Sequence, residues 1–209
     1  MDAAVVYVHG LWMPGAEAVL LARRLRRERG YRLHFFRYAS VRQPMEAIAV
    51  ALRDAIARIE APAVHLLGHS LGGLVILHCL ERYAMRQPGR VVFMGSPVMG
   101  SRSAQMLCRW RLGRWLAGRA VASTLLPLRA PRWNLPRELG IIAGTWPLGL
   151  GRLLVPLREP NDGVVTVSET RLPGAKARLD LRVNHMGLLW SAAAAREAGS
   201  FLEHGRFGL

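Results

Sequence analysis

The chain has 209 residues, 51% of them hydrophobic, with 21 glycines and 12 prolines; one hydrophobic core suffices for this size, and the composition excludes a disordered or fibrous chain. The longest apolar stretch, near Leu139 to Gly151, is broken by Gly and Pro, so no transmembrane helix is expected. Basic residues outnumber acids 29 to 14, a formal net charge of +15, which either suits an anionic partner or reflects a composition bias, since Lys176 is the only lysine.

Short β-rich runs alternate with longer helical patterns, the sequence form of repeated βαβ units. The expected fold class is therefore α/β, a mostly parallel six-stranded sheet flanked by helices. Residues 1–4, Met-Asp-Ala-Ala, carry no basic region ahead of an apolar stretch, so no secretory signal is expected. A first strand over Ala4 to Val8 runs into His9-Gly10-Leu11. The pattern of Val19, Leu20, Ala22 and Leu25 predicts an amphipathic helix over Gly15 to Arg29. A strand over Leu33 to Tyr38 follows, and Met45, Ile48, Leu52, Ile56 and Ile59 predict a second helix over Pro44 to Ile59. After the strand Val64 to Gly68, the helix Leu71 to Met85 is apolar on more than one side, as a central helix packed on a sheet should be.

Beyond the strand Val91 to Met94 the alternation stops. Residues Ser101 to Pro136 read as an insertion with helical stretches, broken by Pro127, Pro131 and Pro136. Strands over Gly140 to Ala143 and Arg178 to Val183 and a final helix over Gly187 to His204 complete one domain, residues 1–209, with 101–136 as a basic, lid-like insertion. No repeat of fixed period is present. From Arg82 to Arg137 there are eleven arginines and no Asp or Glu. Within the insertion Met106, Leu107, Trp110, Leu112, Trp115, Leu116, Val121, Leu125 and Leu126 are interleaved with Arg102, Arg109, Arg111, Arg114 and Arg119. That mixture suits a lid or a segment docking on an anionic membrane, and equally an ordinary connecting helix. No recognised nucleic-acid module surrounds it, so no specific nucleic-acid partner is expected. Cys79 and Cys108 are too few for a disulfide framework, which agrees with a cytoplasmic setting, possible contact with the inner membrane face included.

Gly68-His69-Ser70-Leu71-Gly72 matches Gly-x-Ser-x-Gly, in which a serine on a tight strand-to-helix turn needs small neighbours. The strand before it and the helix after it supply that context; the bland alternative is a serine helix cap. A serine hydroxyl is a weak nucleophile and requires a base within reach and an acid to orient that base. In this strand–turn–helix architecture the chain order is Ser, then Asp or Glu, then His. Only His185 and His204 come late enough; His185 sits in a loop just past a strand, whereas His204 reads as a charge at a helix end. Among the acids, Asp162 in Asn161-Asp162-Gly163 occupies a turn that can hold a carboxylate rigidly. Asp180 and Glu159 stand as rivals, and a plain Asx turn is the alternative for Asp162. Backbone N–H groups of Leu71, after the serine, and Leu11, after His9-Gly10, are the candidate donors to a developing oxyanion. His9 and His69 then read as structural. No Cys or His pair has zinc-site spacing, and neither metal nor cofactor is expected.

Four elements in order, His9-Gly10-Leu11, Gly68-His69-Ser70-Leu71-Gly72-Gly73, Asn161-Asp162-Gly163-Val164-Val165 and Asn184-His185, resemble the α/β-hydrolase superfamily, in particular small bacterial lipases and esterases and GPI inositol-deacylase-like proteins. The stretch Gly95 to Ser101 is similar to the Gly-Thr-Pro-His-x-Gly-Ser run of many lipases, with Val98 in place of the histidine. The resemblance implies a minimal α/β-hydrolase fold with Ser70 as nucleophile, His185 as general base and acid, Asp162 as its orienter, and Leu11 and Leu71 as the oxyanion hole. It implies cleavage of carboxylic esters, lipid-like acyl esters foremost, through an acyl-enzyme. Acyl transfer or thioester cleavage by the same residues, and a non-catalytic protein binding anionic membrane or nucleic acid, are the rival readings. Acyl chain length and oligomeric state are not legible.

Overall fold

The computed structural model describes residues 3–109, 118–120, 131–149 and 159–208. Six described strands, β1 (Ala4–Val8), β2 (Arg32–Phe36), β3 (Val64–His69), β4 (Val91–Met94), β5 (Leu139–Gly144) and β6 (Ala177–Leu181), form one sheet in the order β2-β1-β3-β4-β5-β6. Every neighbouring pair is parallel. All their carboxyl ends therefore lie along one side.

A parallel sheet needs cover on both faces, and the pleat divides the side chains accordingly. Val6, Val8, Leu66, Val91, Phe93 and Ile141 pack with α2 (Met45–Ala57) and α3 (Leu71–Arg82), through Ile48, Leu52, Ile56, Val75 and Ile76. Val5, Tyr7, Leu67, Val92, Met94 and Ile142 face the other way, onto Leu21 and Leu25 of α1 (Val19–Arg29) and Ala194, Ala198 and Phe201 of the C-terminal helix. Each fully buried side chain of this size contributes roughly 1.5–3 kcal/mol before entropy is charged against it.

The described insertion residues include a short helix α4 (Arg102–Leu107), and α5 (Val167–Thr170) precedes β6. Residues 110–117 and 121–130 of the insertion, among them Trp110, Leu112, Trp115, Leu116, Val121, Leu125 and Leu126, lie outside the described residues. The expected helix Leu71 to Met85 ends at Arg82, where Tyr83 turns extended, the first two helices are shorter than expected, and three further boundaries shift for local reasons. The second strand ends at Phe36 because the Tyr38 N–H turns out of the ladder to donate to His9 Nε2, 3.3 Å away. The sixth strand ends at Leu181, and Val183 accepts instead from the Trp146 N–H, 3.1 Å away. The single final helix is two, α6 (Gly187–Trp190) and α7 (Ala192–His204), because Ser191 is extended and its hydroxyl caps the N–H of Ala194.

Candidate active site

Ser70 follows the last residue of β3 and precedes the first of α3, with φ 53° and ψ −121°. Such a backbone is strained for a residue with a Cβ and persists only where its surroundings over-determine it. The Ser70 N–H donates to the Met94 carbonyl of β4 at 3.0 Å. On the other side α3 approaches β1 so closely that a Cβ at Gly72 would lie 2.0 Å from the Val8 carbonyl oxygen. The glycines of the motif thus let a helix start directly above a sheet, and the Leu71 N–H, first in that helix, has no carbonyl one turn back to take it.

The Asp162 turn follows β5. One carboxylate oxygen, Oδ1, accepts the N–H groups of Val164 and Val165 at 2.9 and 2.8 Å, which is an Asx turn. The other, Oδ2, lies 2.6 Å from His185 Nδ1. Asp162 thus forms the Asx turn and meets the imidazole at once, and the turn is what makes the carboxylate rigid. The backbone ties the two residues again, the His185 N–H donating to the Asp162 carbonyl at 2.9 Å. Asp162 is 1% exposed and His185 7%. Because a carboxylate oxygen accepts, His185 Nδ1 is the donor of this bond, and in the neutral imidazole Nε2 is then the nitrogen with the lone pair. Gly95, directly after Met94, has φ +59°, and a Cβ there would stand 3.0 Å from Asp162 Oδ2 and 3.1 Å from His185 Nδ1. The carboxylate–imidazole pair is thereby placed against the same β4 end that receives the Ser70 N–H.

The loop carrying Leu11 is fixed from both sides. His9 Nε2 accepts from the Tyr38 N–H, its Nδ1 donates to the Gly10 carbonyl at 2.8 Å, and its ring stacks on Tyr38 at 4.1 Å. The Tyr38 hydroxyl donates to the His9 carbonyl at 2.7 Å, and beyond Leu11 the Trp12 N–H donates to Ser40 Oγ at 3.2 Å. His69 is fully buried and donates from Nε2 to the His185 carbonyl at 3.1 Å. Burial lowers the pKa of both His9 and His69, and the nearby His185 ring pushes His69 down further. Two neutral imidazoles thus act as scaffolding, one under each candidate catalytic loop.

The rival assignments separate in space. Asp180 is exposed on β6, Glu159 binds Arg102 at 3.2 Å and the Ser168 hydroxyl, and His204 meets Glu203 at 3.4 Å. None of the three is bonded to Ser70 or His185 among the described residues. Sequence reasoning noted Gly95 only at the head of a lipase-like run and missed its packing on the Asp162–His185 bond, and it missed the capping box of α5, in which Thr166 and Glu169 bond reciprocally while Glu169 also accepts the Arg102 N–H at 2.6 Å. The Thr-x-x-Glu spacing was the available signal for the latter. Among the described residues no group of three His, Cys, Asp or Glu side chains could hold a metal ion, and no helix is long and apolar enough to cross a membrane.

Residues 5–201 match the family model described as Alpha/beta hydrolase family. The chain belongs to that family. No curated protein sequence matches it. Among solved structures it is similar to the Bacillus licheniformis lipase BlEst2 in its propeptide form, with 22% identity, a TM-score of 0.74, and coverage of 89% of this chain and 47% of that one. A metagenomic carboxyl esterase is similar at 18% identity and TM-score 0.64, over 88% of this chain and 64% of its own. A lipase-esterase related protein from Clostridium acetobutylicum aligns along 96% of this chain and 94% of that one, at 11% identity and TM-score 0.69. The chain thus spans about half the length of the first and under two thirds of the second, and these likenesses are of fold.

Proposed function

We propose that the protein is a serine hydrolase that cleaves carboxylic esters, lipid-like acyl esters foremost. The observation that carries this reading is the buried 2.6 Å bond from His185 Nδ1 to Asp162 Oδ2, packed against the β4 end that binds the strained Ser70 backbone. In this mechanism Ser70 Oγ attacks the ester carbonyl while His185 Nε2 takes its proton, and the tetrahedral oxyanion is received by the N–H groups of Leu11 and Leu71. His185 then returns the proton to the alkoxide, the alcohol departs, and Ser70 is left acylated. Water, deprotonated by the same imidazole, releases the acid and restores the serine. Asp162 keeps Nε2 free as the acceptor and stabilises the imidazolium formed in each half-reaction. The names of the similar lipase and esterase structures support the ester class.

The test is hydrolysis of p-nitrophenyl esters of short, medium and long acyl chains by wild type and Ser70→Ala, with labelling by a fluorophosphonate. Turnover should fall by roughly four orders of magnitude or more in Ser70→Ala, and the label should map to Ser70. Wild-type activity in that variant would end the assignment. Product analysis with an added alcohol or thiol separates hydrolysis from acyl transfer.

A further inference from the structure

The loops at the carboxyl end of the sheet carry an unusual combination of side chains. After β5, Trp146 is 47% exposed and Leu148 53%. Their loop is packed on the Asp162 turn, where a Cβ at Gly163 would lie 2.5 Å from the Leu148 carbonyl carbon. After β1, Trp12 is 58% exposed. Three strand spacings separate β1 from β5, about 14 Å, with β3 and its Ser70 between them. Cations accompany both flanks. Arg37 and Arg42 follow β2, Arg119 is held there by its N–H on the Val41 carbonyl at 2.9 Å, and Arg182 follows β6. All four are exposed, and none forms an ion pair among the described residues.

The acids of this end do not offset them. Asp162 and Glu169 are buried, Glu17 takes the Tyr7 hydroxyl, Glu159 is bonded to Arg102, and Asp180 lies between Arg178 and Arg182. Exposed indole and leucine side chains interspersed with unneutralised guanidinium groups match a layer whose surface is phosphate and whose interior is hydrocarbon. A leucine offers a nucleic-acid base nothing to stack on, which favours lipid over a polynucleotide.

We infer that this end of the molecule docks on anionic phospholipid bilayers, with the arginines at the headgroup phosphates and Trp146 and Leu148 inserted between them, so that the sheet end carrying Ser70 lies against the lipid. The inference extends the acyl-ester reading, yet binding is measurable without turnover, so the two can fail separately.

The experiment is co-sedimentation of the Ser70→Ala protein with vesicles of phosphatidylcholine alone or containing about 30 mol% phosphatidylglycerol, at about 0.05 and 0.5 M salt. Binding to the anionic vesicles should exceed binding to the neutral ones and should weaken about tenfold or more at the higher salt. Two double replacements of equal charge separate this face from charge in general. Arg37→Glu with Arg42→Glu should weaken binding by about tenfold or more, while Arg58→Glu with Arg86→Glu, exposed at the opposite end, should change it by no more than about threefold. Trp146→Ala with Leu148→Ala tests the apolar part and keeps the question open to refutation if the charge reversal does not fold; a similar tenfold loss is expected. Equal losses from both arginine pairs, binding indifferent to lipid charge or to the Trp146 and Leu148 changes, or tighter binding of a single-stranded oligonucleotide than of the vesicles would each overturn the inference. So would an absence of vesicle binding.

Discussion

At the amino end of the sheet, Arg90 and Lys176 share the Glu138 carboxylate, Arg29 meets Glu203, and the buried Arg137 guanidinium donates to the carbonyls of Val64 and Gln87. At the carboxyl end one carboxylate is buried against an imidazole, a serine is held at positive φ, and Arg37, Arg42, Arg119 and Arg182 stand exposed without an ion pair among the described residues. The same sheet and the same arginine-rich composition supply both ends. The difference teaches that the buried and half-buried cations of the amino end are matched by acids or carbonyls that hold the fold, whereas the carboxyl end keeps a strained serine and a buried carboxylate–imidazole pair beside its exposed arginines.

Two glycines test that division most sharply. We predict that Gly95→Ala, whose Cβ would crowd the Asp162–His185 bond, lowers kcat/KM for an ester at least about a hundredfold, equivalent to about 3 kcal/mol. Gly205→Ala, at the amino end with φ +70° and only the flexible tips of Glu138, Lys176 and Arg90 near its Cβ, should cost about 1 kcal/mol of stability and leave turnover per folded molecule unchanged. Ester kinetics and denaturant titration on both variants decide it; similar activity losses in the two would break the contrast.

Removing the buried cation should do the reverse of the Gly95 change. Arg137→Met leaves two carbonyls of the β3 and α3 ends without a donor, and about 2 kcal/mol of stability should go, read by urea unfolding, while KM and kcat stay level. A large drop in kcat with unchanged stability would refute it.

Acid should act through the scaffold. Burial, with Arg90 and Arg137 nearby, lowers the His65 pKa from 6.5 to about 4, and its Nδ1 accepts the Arg90 N–H at 2.9 Å. The folded pKa lies below the unfolded one, so the unfolded chain binds the proton first and stability falls as pH drops below about 6.5, levelling off below about 4. His9 and His69, also lowered by burial, add in the same direction. The loss between pH 7.5 and 5.5 should be about 1 kcal/mol from His65 alone; a melting temperature that is flat or rises over that interval would contradict it. Smallest of all, Glu138→Gln breaks a half-exposed pair of ion pairs and should cost less than about 1 kcal/mol, diminishing with salt.

How legible this was in the sequence depended on how local the determinant was. Strand–helix alternation, the all-hydrophobic β1 and the Ser70 turn are written in consecutive residues, so periodicity and a five-residue motif reveal them. Asp162 and His185 lie 23 residues apart, yet chain order and turn chemistry picked both, and the structure brings them together. Gly95 was visible only as the head of a lipase-like run, and its packing role was not legible, because that requirement comes from side chains 67 and 90 positions away. The break at Ser191 escaped for the opposite reason: apolar spacing runs through Gly187 to His204, and the cap that interrupts it is a single hydroxyl.

The strand order also has a temporal meaning. After β1 and β2 have paired, every later strand joins the same advancing edge, β3, then β4, β5 and β6. Synthesis from the N-terminus therefore yields the serine turn when about a third of the chain exists, but His185 is the last of the candidate groups to emerge from a ribosome. A nascent or truncated chain would carry Ser70 with neither Asp162 nor His185 and an open parallel edge in their place. In the proposed mechanism the growing molecule would be inert toward esters until His185 has emerged, and its open edge leaves it most prone to aggregate until the final strand docks.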